Sequence, residues 1–84
     1  MGVVHREHGL RFVIYTDDHE PAHIHVFGSG EMRVRLIGPD GRPEMMNSWG
    51  FKKSDQRKAV KIVLRQQTEF LKRWIEIHGE DRQG

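Results

Sequence analysis

The 84 residues carry 14 Lys and Arg against 12 Asp and Glu, a formal charge of +2, with no cysteine and 36% hydrophobic residues. That length makes a single domain, 1–84, with one modest core, and the missing cysteines exclude a disulfide framework, a thiolate zinc site and a cysteine nucleophile. No apolar run approaches the roughly 20 residues of a membrane span, and Met1-Gly2-Val3-Val4-His5-Arg6-Glu7 lacks a signal peptide's apolar stretch, so the expected setting is cytoplasmic, with no membrane contact.

In chain order, Leu10, Phe12 and Ile14 alternate with Arg11, Val13 and Tyr15, the period of a strand rich in β-branched and aromatic residues. Past Asp17, Asp18 and Pro21, the stretch Ala22–Phe27 alternates again, placing His23 and His25 on one face and Ile24 and Val26 on the other. Gly28-Ser29-Gly30 reads as a hairpin turn, because glycine supplies the positive φ angles that such turns use. In a third strand Met32, Val34 and Leu36 alternate with Arg33 and Arg35 up to the Gly38-Pro39-Asp40-Gly41 turn, and a short fourth strand spans Glu44 to Trp49.

The rest predicts one helix from about Asp55 to His78, with Ser54 as N-cap, Asp55 in the positive first turn and Gly79 as the stop. Ala59, Val60, Val63, Leu64, Phe70, Leu71, Trp74, Ile75 and Ile77 fall within one broad stripe, while Lys58, Lys61, Arg65 and Lys72 gather opposite. Such a helix, roughly 36 Å long, crosses a whole sheet, and the tail Glu80–Gly84 is expected to fray. The fold class that follows is α+β: a twisted antiparallel meander of three or four strands with one long C-terminal helix packed on one face.

The least ordinary stretch is Asp17-Asp18-His19-Glu20-Pro21-Ala22-His23-Ile24-His25-Val26, three histidines within seven residues. Imidazole is the commonest metal-binding side chain and residues two apart on a strand share a face, so His23 and His25 can reach one ion. His19, across the proline turn, is the candidate third ligand, and Asp17 or Asp18 completes a nitrogen and oxygen set suited to zinc, nickel or iron. Asp18, His19, His23 and His25 are equally the candidates for catalysis, since histidine serves as general acid or base near neutral pH. The competing reading makes one histidine a hydrogen-bonded core residue and another a cap of the turn. His5 and His8 read as solvated. His78, one turn after Trp74 on the apolar stripe, either pairs locally at the helix C-terminus or packs with Trp74 against the sheet face bearing the histidine run.

Two known patterns fail on their chemistry. His23-Ile24-His25-Val26-Phe27 resembles the histidine triad of nucleotide hydrolases, but Phe27 stands in the nucleophile's place. His23, His25, Glu31 and Gly38 resemble the cupin pattern, but Glu31 comes too late and the long helix leaves too little chain for a closed barrel.

The chain as a whole resembles the domain of unknown function 4160 family. The resemblance rests on an Arg-x-x-x-Tyr strand (Arg11 to Tyr15), then Asp18-His19-Glu20-Pro21-Ala22-His23-Ile24-His25-Val26, a meander, and a terminal helix ending Trp74-Ile75-Glu76-Ile77-His78-Gly79. The family's usual core reads Asp-His-x-Pro-Pro-His-Phe-His; Ala22 replaces the second proline and Ile24 the phenylalanine, and both keep the alternation. The resemblance implies a small bacterial protein encoded beside a short partner in a toxin–antitoxin-like pair, with Asp18, His19, His23 and His25 carried over without assigned roles.

Three functions fit these residues. One is a component of a toxin–antitoxin-like module acting on RNA or translation, with Lys58, Lys61, Arg65 and Lys72 meeting phosphate and a histidine moving protons. Another is a non-enzymatic module whose sheet edge or face pairs with a small protein partner or a second copy of the chain. The third is a metal-binding protein in which His19, His23 and His25 hold zinc or nickel.

Overall fold

A computed structural model describes residues 2–83, with side chains described up to residue 79. Five strands, β1 (Gly2–Glu7), β2 (Leu10–Ile14), β3 (His23–Phe27), β4 (Glu31–Arg35) and β5 (Glu44–Trp49), form one antiparallel sheet in sequence order. Two helices follow, α1 (Lys53–Arg65) and α2 (Gln67–Gln83). The class is α+β, with one strand and one helix more than the sequence pattern predicts. No helix among the described residues is long and apolar enough to cross a membrane.

The extra strand is β1. Its link to β2 is the two-residue turn His8-Gly9, whose φ angles of 53° and 74° are both left-handed, as a type I′ hairpin requires. A register shift between Val3 and His5 sets His5 opposite Phe12. His5 is therefore not solvated: its ring packs 5.5 Å from Phe12 and 5.7 Å from Phe70 and donates from Nε2 to Glu7 Oε1 at 2.8 Å. His8 stays exposed.

The extra helix arises from a break at Gln66, which adopts φ −99°, ψ 13°. Neither glycine nor proline stands there, so the helical pattern runs straight through in the sequence. The break is fixed from outside the helix: Gln67 Nε2 donates to the carbonyls of Leu36 at 2.7 Å and Gly41 at 2.9 Å. Re-aiming α2 changes which residues are covered. Ala59, Ile62 and Val63 of α1 and Phe70, Trp74 and His78 of α2 are buried, each set at helical spacing, whereas Leu64 and Ile75 of the expected stripe are 47% and 63% exposed. Ser54 does not cap α1, which starts behind Lys52 with no side-chain cap, and Gly79 does not stop α2, which continues to Gln83 through most of the tail. Met1 and Gly84 lie outside the described residues.

Both helices pack on one face of the sheet. The cross-strand rows Phe12–Val26–Met32 and Ile24–Val34, with Ile14 and Leu36, meet Phe51, Ala59, Ile62, Val63, Phe70 and Trp74 in one core. The opposite face carries the rows Arg6–Arg11–Phe27–Glu31–Trp49 and Val3–Val13–His25–Arg33–Asn47. The Gly28–Gly30 turn joins β3 to β4 as expected, Gly28 N–H donating to Gly30 O at 3.0 Å. Its glycines serve close approach and not positive φ: a Cβ on Gly30 would stand 2.0 Å from the Trp49 carbonyl oxygen.

Trp74 is 3% exposed and spans sheet and helix. Trp74→Ala should cost on the order of 3 kcal/mol through lost burial and the cavity left behind, read as a lower urea midpoint; an unchanged midpoint refutes this packing. Arg65 of α1 ties the edge strand to the helix through its ion pair with Glu7. The hydrogen bond from Arg65, and after it that from His5, holds the Glu7 carboxyl down from its ordinary 4.5 to about 2. The unfolded chain therefore binds the extra proton between these values, and the stability that Glu7 contributes is lost as pH falls from about 4.5 to about 2. Glu7→Gln should flatten the melting-temperature slope across that window, measured by thermal unfolding at a series of pH values.

Candidate metal centre

The site is built where β2 hands over to β3. Asp18 closes a turn on Tyr15: its backbone N–H donates to Tyr15 O at 3.3 Å while its Oδ2 accepts the Tyr15 N–H at 3.2 Å. This reciprocal pairing fixes the carboxylate and leaves Oδ1 facing β3. The two-residue period of β3 delivers His23 and His25 to that oxygen, their ring centroids 5.1 Å apart and the residues only 7% and 8% exposed. Nε2 of His25 lies 3.2 Å from Asp18 Oδ1 and Nε2 of His23 lies 3.6 Å from it. The ligand-capable atoms of the three residues all fall within 4.8 Å of one another. In a tetrahedral centre with bonds of about 2.0–2.1 Å, ligand atoms stand about 3.3 Å apart, close to the 3.2 Å contact of His25 and shorter than the 3.6 Å contact of His23.

The outer contact of His23 selects its tautomer, whereas His25 can take either. His23 Nδ1 sits 2.9 Å from the Pro21 carbonyl, which can only accept, so Nδ1 carries the proton and Nε2 of the neutral ring turns its lone pair to Asp18. His25 Nδ1 is buried with no hydrogen-bond partner, and Glu31 Oε2 stands 3.6 Å away. If His25 Nε2 donates to Asp18, the buried Nδ1 lone pair faces the Glu31 carboxylate. If Nδ1 carries the proton, it points at Glu31 and Nε2 presents a second lone pair to Asp18 Oδ1. In that second arrangement two lone pairs and a carboxylate oxygen are brought together out of water, and a cation between them would relieve their repulsion.

Aromatic rings enclose the cluster. Tyr15 meets His25 edge-on at 4.7 Å, and Trp74 lies 5.5 Å from His23 while stacking on His78 at 3.8 Å. His78 therefore packs toward the histidine face and does more than pair locally. Its Nδ1 is 2.9 Å from Trp74 O and its Nε2 is 3.1 Å from Tyr15 O; both carbonyls only accept, so the neutral ring donates to one of them, and donation from Nε2 latches α2 to the turn that places Asp18.

The structure brings Asp18, His23 and His25 together, with Asp18 in the third position for which the sequence offered His19. His19 is exposed on the loop and lines the grooves on either side of the cluster, one with Trp74 and His78, the other with His23 and Arg33. Of the basic helix residues, Lys58 and Lys61 are exposed on α1, Arg65 is paired with Glu7, and Lys72 is exposed on α2, beyond the break. Tyr15 escaped the sequence reading as a neighbour of His25, and Glu31, weighed there only in the cupin pattern, stands beside His25. The alternation of β4 was visible, but its register, which sets Arg33 opposite His25 and Arg35 opposite His23, was not.

The family model described as a domain of unknown function, DUF4160, matches residues 9–75, a span that contains the whole Asp18–His23–His25 cluster and Trp74. The chain belongs to the DUF4160 family. Comparison with curated proteins and with solved structures gives no match. His78 and β1 lie outside the DUF4160 match, so the latch and the edge strand are features of this chain beyond the matched span.

Replacing His78 with leucine keeps an apolar body against Trp74 but removes the donor that reaches Tyr15 O. Loss of a buried hydrogen bond of this kind should cost about 1–3 kcal/mol and speed amide exchange at Asp18. Exchange at wild-type rates would show that the latch does not secure the turn.

Proposed function

We propose that this DUF4160 chain is the metal-dependent member of a toxin–antitoxin-like module directed at RNA, with Asp18, His23 and His25 holding one zinc or nickel ion. The observation that carries the metal reading is the convergence of two imidazole Nε2 atoms on one carboxylate oxygen, with the outer nitrogens committed to Pro21 O and turned toward Glu31. Three nitrogen and oxygen ligands leave a coordination position open, the pattern of catalytic sites and not of closed structural ones. A bound ion would supply Lewis-acid polarisation of a phosphoryl oxygen or a more acidic water. The RNA direction is supported by Arg33, which borders the same groove as His23, and the module by the family resemblance.

Titrating zinc or nickel into chelator-treated protein should release heat at one equivalent. Asp18→Asn, His23→Ala and His25→Ala should each weaken binding by about tenfold or more, whereas His19→Ala leaves it unchanged. Binding should weaken at acid pH, because both imidazoles must be neutral to ligate. A titration without heat and without histidine chemical-shift changes removes the metal from the proposal. A second reading then stands on the 3.2 Å contact between Asp18 Oδ1 and His25 Nε2: with Nε2 held by the carboxylate and Nδ1 buried beside Glu31, His25 anchors the turn and the chain is a non-enzymatic binding module whose contacts survive chelators.

A further inference from the structure

The sheet face turned away from the helices is rich in arginine. Register places Arg6, Arg11, Arg33 and Arg35 on it against the two acids Glu31 and Glu44. Two of these guanidinium groups are set on rings: Arg11 Cζ lies 5.5 Å over Phe27 and Arg33 Cζ lies 5.3 Å over Trp49. A guanidinium held over an aromatic ring keeps its N–H edge free for phosphate oxygens and its outer plane free to stack on a base. Arg35, in the cross-strand row of His23, adds a further positive charge to this face.

We infer that this face binds a single-stranded RNA, its phosphates on Arg11, Arg33 and Arg35 and its bases against the ring-backed guanidiniums, on a path that leads to Asp18, His23 and His25. The inference rests on the RNA reading above and assigns the strand to the sheet in place of the lysines of α1. Charge decides the occupant. Away from the acidic turn that carries Asp17, Asp18 and Glu20 at one end of the sheet, a second copy docked face to face would set four arginines against four more with only Glu31 and Glu44 between them on each side, a self-repelling isologous contact. A polyanion gains from every one of them. Arg65, by contrast, is already paired with Glu7, and Lys58 and Lys61 have no aromatic backing among the described residues.

The experiment uses a fluorescein-labelled twelve-nucleotide RNA without secondary structure and the full chain, read by anisotropy across a salt series. Arg11→Ala combined with Arg33→Ala should weaken binding at least tenfold and reduce the slope of log affinity against log salt by about 1.4, at about 0.7 per lost phosphate contact on a single strand. Lys58→Ala combined with Lys61→Ala should leave affinity and slope as in wild type. Arg11→Lys with Arg33→Lys keeps both charges and the fold, so it should keep the slope while losing affinity. Trp74→Phe leaves Trp49 as the one tryptophan of the chain; its fluorescence should be quenched in step with the anisotropy.

RNA binding that follows the lysine pair, or Trp49 emission unmoved at saturating RNA, overturns the assignment. So does the absence of RNA binding, including the case in which self-association of the chain is lost in the Arg11→Ala, Arg33→Ala variant. A flat anisotropy titration beside an intact zinc heat sinks the RNA face and spares the metal centre. A flat zinc titration beside intact Trp49 quenching does the reverse.

Discussion

A strand sends neighbouring side chains to opposite sides, and in β3 that one constraint separates the two tasks of the molecule. Ile24 and Val26 go down into the core, both fully buried, while His23 and His25 go up to Asp18. A slip of one residue in the β3 register would exchange them, driving two imidazoles under α1 and α2 and lifting two aliphatic side chains to the carboxylate. The apolar rows that lock the register, Phe12–Val26–Met32 and Ile24–Val34, therefore also position the cluster. The centre borrows its precision from hydrophobic burial on the far side of the same strand.

What surrounds the cluster is divided by charge in a way the net +2 conceals. Asp17, Asp18 and Glu20 crowd the turn at one end of the sheet, and the arginines of β1, β2 and β4 spread across the open face beyond it. An anionic chain drawn to the arginines meets a repelling carboxylate group at the cluster itself, unless a cation sits there to reverse the local sign. Occupation of the centre and attraction of a polyanion are thus linked by simple Coulombic sense.

The parts of the fold legible in the sequence were those set by local pattern. The alternation of β2, β3 and β4 and the parity of His23 and His25 needed only side chains two residues apart, whereas β5, bulged against β4, shows no such alternation. The break between α1 and α2 was not legible because its cause lies elsewhere: the Leu36 and Gly41 carbonyls, 31 and 26 residues before Gln67, take both amide hydrogens of that side chain. β1 hid behind polar residues, since His5, Arg6 and Glu7 blur its alternation and the His8-Gly9 turn was the only local sign of a hairpin. At the cluster, composition pointed to three histidines, yet the reciprocal bond between Asp18 and Tyr15 turns Asp18 inward and leaves His19 outside. Glu31 approaches His25 diagonally across the β3–β4 hairpin, where the three-residue turn sets Phe27 opposite Glu31 and Arg33 opposite His25.

Every strand pairs with its neighbour in sequence, and the three converging groups lie between residues 18 and 25, on one hairpin formed by β2 and β3. Contacts this close along the chain form quickly, whereas the docking of helices from residues 53–83 onto the sheet has to close much longer loops. During synthesis, too, this hairpin emerges well before Trp74 and His78 exist. Local contact order places the formation of the cluster ahead of helix docking, and Trp74 and His78 close its border only when α2 docks.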